Sequence, residues 1–495
     1  MTVTLSDASS STSRLQSIRP LVLMAAEGGG ARAAYWTASV IDRLEKAPTS
    51  GSGERNKCGA RQVFLATGVS GGSVGLTVAR FRSTPQTAAE HIKTLGSPEA
   101  LSVASAGLFA RDPLTTLTGI PWGPRGGVWH DRAGLIETSW EKGDPDLAAS
   151  FLKPPDPSDA RRFAAELVLA SATAATGCRV LVSHIDIRPG PDPATPSGCS
   201  DARSPAPMTL DLIDAYGPRP PVITSAPTTS DPVATASGPA PTDSTPARVT
   251  AAIGEQRCLT SLTASTAAMF SARFPYVTPS GVVGPCLAES GPRADGTIEP
   301  PVARAAEQLV DGGYVDSTGL GVLIDLSPDL MSLIRAHNAT AAIPIVPYVI
   351  YADNGTGSDL GAAAPSSIPE VAVPPVGLLA GRGSQNSTHA LLQRLDSAID
   401  PAQAGLTVKA PAAAWRAAAP PISVVYQPTR PTIAAPLGWV LSPASTATMD
   451  QALATSAACP ARMDTQAMAA LRLRGYGSLH TALKLLGEDT CASPS

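Results

Sequence analysis

The chain has 495 residues, with 37 Lys and Arg against 41 Asp and Glu for a formal net charge of -4. That balance argues against a nucleic-acid protein, which would present a basic face, and no apolar run approaches the length of a membrane-spanning helix. Hydrophobic residues at 43% supply a core, while 48 prolines and only 16% charged residues point to an α/β body with long Pro/Ala/Ser/Thr loops. The first 17 residues are polar and lack an apolar centre, so 1–18 reads as a disordered tail rather than a secretory signal. The expectation is a cytoplasmic protein with neither a signal nor a transmembrane segment.

Residues 20–26 form an apolar run that reads as a first buried strand, and 33–45 show helical periodicity. Between them stands Glu27-Gly28-Gly29-Gly30-Ala31-Arg32. Consecutive glycines can turn several amide N–H groups one way and so form an anion-binding nest. Three readings compete for this loop. A dinucleotide loop would need glycine at Ala33 and an acidic residue after the next strand, and a phosphate loop would need Gly-Lys-Ser/Thr. An oxyanion hole fits best, because the next strand-to-helix turn carries a serine.

That turn is Gly68-Val69-Ser70-Gly71-Gly72, preceded by an apolar strand at 62–67 and followed by a helix from 73 to 80. A serine between small residues at a strand-to-helix corner has the nucleophile-elbow pattern. The tight turn lifts the hydroxyl clear of the sheet, and the helix directs its first amides toward developing negative charge. The bland reading is an ordinary glycine-rich turn.

Downstream, 87–108 and 131–142 read as helices around a loop at 114–127 that carries Trp122, with Trp129 just beyond. Exposed tryptophans there would suit peripheral membrane contact, although packing against the body is their commoner fate. Strands follow at 163–172 and 178–183, then a low-complexity surface insertion at 189–248. Residues 259–272 read as a helix, 343–351 and 422–426 as late strands, and 463–486 as a C-terminal helix before a tail at 488–495. The strand at 308–311 ends in Asp311-Gly312-Gly313. A carboxylate at a strand end is where a sheet enzyme places an acid or base, and a turn aspartate capping its own backbone is the competing reading. The seven cysteines are scattered without a C-x-x-C pair, so no metal site is expected. Cys178 with Cys199 and Cys258 with Cys286 are candidate disulfides in an oxidising compartment.

Taken together, the Gly28–Gly30 loop, the Ser70 elbow and Asp311-Gly312-Gly313 resemble the patatin-like phospholipase family in type and order, as does Ser271-Ala272-Arg273-Phe274-Pro275. The likeness covers 21–80 and 259–323. It implies a three-layer α/β/α fold with a central, mostly parallel sheet, long Pro/Ser/Thr-rich surface insertions, and one catalytic domain over 19–487. It also implies a serine lipid acyl hydrolase acting on phospholipid or other acyl esters without a cofactor. Ser70 would be the nucleophile and Asp311 its base. Amides of Gly28, Gly29, Gly30 and Gly71 would form the oxyanion hole, and Arg32 would steady the loop or meet a lipid phosphate. Ala33 departs from the family, which usually has a further glycine there.

A His-assisted triad drawing on His337, His389 or His480 is the close rival. Two further possibilities share this fold: an acyltransferase using the same site, and a lipid-binding protein without catalysis.

Overall fold

The computed structural model of the chain describes residues 2–6, 13–17, 19–45, 63–113, 117, 131–156, 163–185, 209–216, 259, 261–274, 277–288, 302–355, 388–399, 422–426, 438, 440–459, 478–486 and 491. Trp122, Trp129, most of the 189–248 insertion and residues 463–477 lie outside them. Within the expected tail, Thr2–Ser6 (β1) pairs antiparallel with Ser13–Ser17 (β2). Thr2, Val3 and Thr4 are β-branched and favour extended chain.

The body is built on a nine-stranded sheet. Its early strands are β3 (Arg19–Ala26), β4 (Val63–Val69), β5 (Glu166–Thr173), β6 (Arg179–Ser183) and β7 (Thr209–Asp211). A short β8 (Gly281–Val283) follows, and β9 (Cys286–Ala288) pairs with β10 (Val302–Arg304) in a separate ladder. Then come β11 (Glu307–Asp311), β12 (Ile345–Asp353) and β13 (Ile422–Val425).

The run β13-β12-β3-β4-β5 is parallel throughout. Such strands are buried on both faces, and the side chains of β3 divide accordingly. Val22, Met24 and Ala26 join one apolar cluster, whereas Leu23 and Ala25 join the other. The first cluster is completed by α1 (Gly30–Glu45), α2 (Gly71–Phe81), α3 (Ala88–Leu95) and helices further along the chain. The second is completed by a helix over Leu320–Asn338 and one over Thr388–Ala398. The fold is therefore α/β, with helical layers on both faces of a mostly parallel sheet.

The helix expected over 87–108 is divided, because α4 (Pro98–Ala106) begins only after Gly96 and Ser97. Proline lacks an N–H and pushes the residue before it out of helical geometry. Helix α5 (Arg132–Gly143) is capped by Asp131, whose side chain accepts the Gly134 N–H. The helix expected over 259–272 shrinks to α6 (Ala264–Ser271), because Thr263 caps it and also bridges to Ser150. Near the C-terminus, a helix over Pro443–Ala457 is tied through the Cys459–Cys491 disulfide to the segment after the helix Ser478–Leu485. Cys178 and Cys286 are also in disulfides, and Cys199 and Cys258 lie outside the described residues. No described helix is long and apolar enough to cross a membrane.

One detail of the sheet positions the site. The same edge of β5 is shared by two strands running toward each other. Parallel β4 pairs up to Val69 opposite Ala170, and antiparallel β11 pairs down to Asp311 opposite Ser171. The C-terminal ends of β4 and β11 thus meet at consecutive register positions.

Candidate active site

Ser70 follows β4 with φ 50° and ψ -123°, the single non-glycine residue at positive φ among the described residues. Such a conformation costs on the order of 1–3 kcal/mol and persists only where the surroundings enforce it. The enforcement here is close packing between two backbones. A Cβ on Gly71 would lie 1.9 Å from the Gly30 carbonyl oxygen, and one on Gly72 would lie 2.5 Å from that of Ala26. Only glycine lets the start of α2 pass over the preceding loop.

The triple-glycine loop turns through φ 142° at Gly29 and 61° at Gly30. Its amides differ in availability. Gly28 donates its N–H to the Ser317 carbonyl at 2.7 Å, so it is committed to holding the loop rather than to an oxyanion. That corrects the expectation for Gly28, whose part is close approach: a Cβ there would sit 3.2 Å from the Ser70 Cβ. The N–H groups of Gly29, Gly30 and Gly71 meet no hydrogen-bond acceptor among the described residues, and all three residues line one cavity with Ser70.

Asp311 is 3% exposed. Its N–H donates to the Arg273 carbonyl at 3.0 Å, and its Oδ1 accepts the Gly313 N–H at 2.7 Å. Oδ2 is buried without a partner at hydrogen-bond distance and angle. Burial pushes the carboxyl from its usual 3.8 up to about 6, against the opposing pull of the Ser70 hydroxyl and the Gly313 amide. Ser70 and Asp311 line the same cavity, at the ends of strands that meet at consecutive positions along β5. Gly312 completes the corner, since a Cβ on it would lie 2.2 Å from the Ala170 carbonyl oxygen.

Arg32 does not face the cavity. It is 2% exposed, and it donates through Nε at 3.0 Å and through a terminal guanidinium nitrogen at 2.6 Å to Asn354 Oδ1. The Tyr426 ring lies beneath the guanidinium at 5.9 Å. Asn354 in turn donates from Nδ2 to the Gly28 carbonyl and from its backbone N–H to Glu27 Oε2 at 2.8 Å. Of the two roles open to Arg32, the geometry supports the loop and removes the phosphate, because the guanidinium is enclosed. Asn354, just past β12 and 322 residues from Arg32, carries no motif in the sequence. Ser271 stands in the family-like segment Ser271–Pro275, but nothing in that segment announces that its hydroxyl accepts the Ser70 N–H at 2.9 Å.

The cavity has a volume of about 480 Å³, and apart from Ser70, Asp311 and the glycine loop its walls are mainly apolar, including Ile92, Leu95, Trp140, Phe274 and Val277. No described histidine lines it. His337 is exposed on the Leu320–Asn338 helix, and His480 is buried with Nε2 3.8 Å from Cys491 Sγ. Among the described residues no group of three or more His, Cys, Asp and Glu could hold a metal ion.

No protein-family sequence profile matches the chain, and no curated protein matches it. Among solved structures, the crystal structure of VipD from Legionella pneumophila aligns with 91% of this chain and 69% of that one. The identity is 11% and the TM-score 0.25, a likeness too low to bear on activity.

Proposed function

We propose that the chain is a serine carboxylic ester hydrolase of the patatin-like phospholipase type, cleaving acyl esters of lipids with a Ser70–Asp311 dyad. The observation that carries this reading is the head-on meeting of β4 and β11 along β5. It delivers a strained serine and a buried carboxylate to neighbouring positions at one sheet edge.

Attack by a serine hydroxyl on an ester carbonyl creates a tetrahedral oxyanion, so the site needs a base and fixed donors. Asp311, ionised, takes the Ser70 proton as Oγ bonds to the acyl carbon. The alkoxide leaves with that proton, and the acyl-enzyme remains. Water then attacks the acyl carbon, again losing a proton to Asp311, and the carboxylic acid departs as Ser70 recovers its hydrogen. Gly29, Gly30 and Gly71 are the candidate donors to the oxyanion; loss of one such donor typically costs about 2.7–4 kcal/mol. The apolar wall beside them suits an acyl chain.

His337, exposed on its helix, and His480, buried against Cys491, do not line the cavity, which favours the dyad over a triad drawing on either of them. The Cys459–Cys491 disulfide fits an oxidising compartment better than the cytoplasm expected from the sequence.

The test is hydrolysis of a panel of p-nitrophenyl and phospholipid esters. Ser70→Ala and Asp311→Ala should each lose at least about 10³-fold in kcat, while His337→Ala, His389→Ala and His480→Ala keep most of it. Loss in a single His variant would replace the dyad by a triad. Acyl transfer to added alcohol in preference to water would make the protein a transferase. Inactivity on every ester would leave a lipid-binding protein.

A further inference from the structure

Behind the elbow stands one hydroxyl with all its hydrogen-bonding capacity in use. Ser271, the last residue of α6, is fully buried. Its Oγ accepts the Ser70 N–H at 2.9 Å, donates to the Ala170 carbonyl and lies 2.8 Å from Ser73 Oγ. A serine hydroxyl has one proton and two lone pairs. Its proton is on Ala170, since a carbonyl oxygen can only accept. Ser70 occupies one lone pair, so the remaining contact must run from the Ser73 O–H to the second. The proton order is thereby fixed, and Ser271 is held in one orientation.

The same short segment also grips the other half of the dyad. The Arg273 carbonyl accepts the Asp311 N–H at 3.0 Å. The Phe270 carbonyl accepts from Ser171 Oγ at 2.8 Å; this hydroxyl also reaches the Val310 carbonyl at 2.8 Å, and Ser171 is the register partner of Asp311. Residues 270–273 therefore touch the elbow at one point and the end of β11 at another.

We propose that Ser271 is a positioning residue for the nucleophile. By holding the peptide before Ser70, it maintains the positive-φ elbow and sets how far the Ser70 hydroxyl stands from Asp311. It touches neither substrate nor reacting atoms. The inference rests on the Ser70–Asp311 reading.

The experiment measures kcat, KM and thermal midpoint on p-nitrophenyl butyrate for the unsubstituted protein and for Ser271→Ala, Ser271→Cys and Ser265→Ala. Ser265 is a fully buried serine of the same helix, bonded instead to Thr263 and Glu141. Misplacing a reacting group by an ångström can lower the rate by about 10²-fold. Ser271→Ala should therefore lose 10- to 100-fold in kcat, with KM within threefold. Ser271→Cys keeps a single atom beyond Cβ but puts a larger, poorly accepting sulfur there, so it should show the same kcat loss. Ser265→Ala should keep its kcat within threefold. Unchanged kcat in Ser271→Cys, or an equal loss in Ser265→Ala, would overturn the assignment. A wild-type protein without esterase activity would instead overturn the hydrolase reading on which it stands.

Discussion

Keeping a carboxylate ionised at 3% exposure costs free energy, and at Asp311 that cost is tied to the proposed chemistry. The base works only when deprotonated. With its pKa raised to about 6 by burial, kcat/KM should climb as pH rises through 6 and level off above 7, which a pH–rate profile on a non-ionising ester will show. Stability should move in the opposite direction. The folded state holds its proton to higher pH than the unfolded chain does, so folding loses ground as pH rises from about 4 to about 6, and the deficit persists above that range. At about 1.36 kcal/mol per pKa unit the deficit is roughly 3 kcal/mol. Asp311→Asn should thus be inactive yet more stable than the parent by about that amount at pH 8, and no more stable below pH 4. Denaturant melts at the two pH values check it, and equal stability at pH 8 would mean that Asp311 is not the buried, costly ion described here.

The glycine loop is held as an element from outside itself. Asn354 fixes the Gly28 carbonyl and takes two hydrogen bonds from Arg32. Hydrogen bonds to charged groups contribute about 1.5–3 kcal/mol, so Asn354→Ala should destabilise the fold by at least that much and lower kcat more than tenfold. An active Asn354→Ala protein in a kinetic assay would show that the loop keeps its shape unaided. This clamp marks the limit of what could be read from the chain. The loop, the elbow and Asp311-Gly312-Gly313 were legible because each is a local event, an apolar strand ending in glycines that allow a tight turn or close approach. Asn354 and the part played by Ser271 were not, because both depend on partners 322 and 201 residues away. Gly28 was misread for the same reason: whether an amide is free depends on Ser317, which no glycine pattern announces.

For the whole molecule, the α/β class and the parallel centre follow from apolar strands alternating with helical segments, and the paired clusters above and below β3 are the packing result. Strand direction was beyond reach at β11. A five-residue strand reads the same whichever way it lies, and here it runs antiparallel to β5 so that its end faces that of β4. The far end of the chain is secured covalently. The Cys459–Cys491 disulfide closes a loop with a sequence separation of 32, for which chain entropy gives about 3–4 kcal/mol. Cys491→Ser should therefore lower the thermal midpoint by several degrees, as calorimetry will register. The account as a whole stands on Ser70 being activated by Asp311, and the most direct measurement is mass-spectrometric mapping after reaction with a fluorophosphonate at pH 8. A single adduct on Ser70, lost in Asp311→Asn, is the predicted result; no adduct on Ser70, or one formed equally fast without the Asp311 carboxylate, would contradict it.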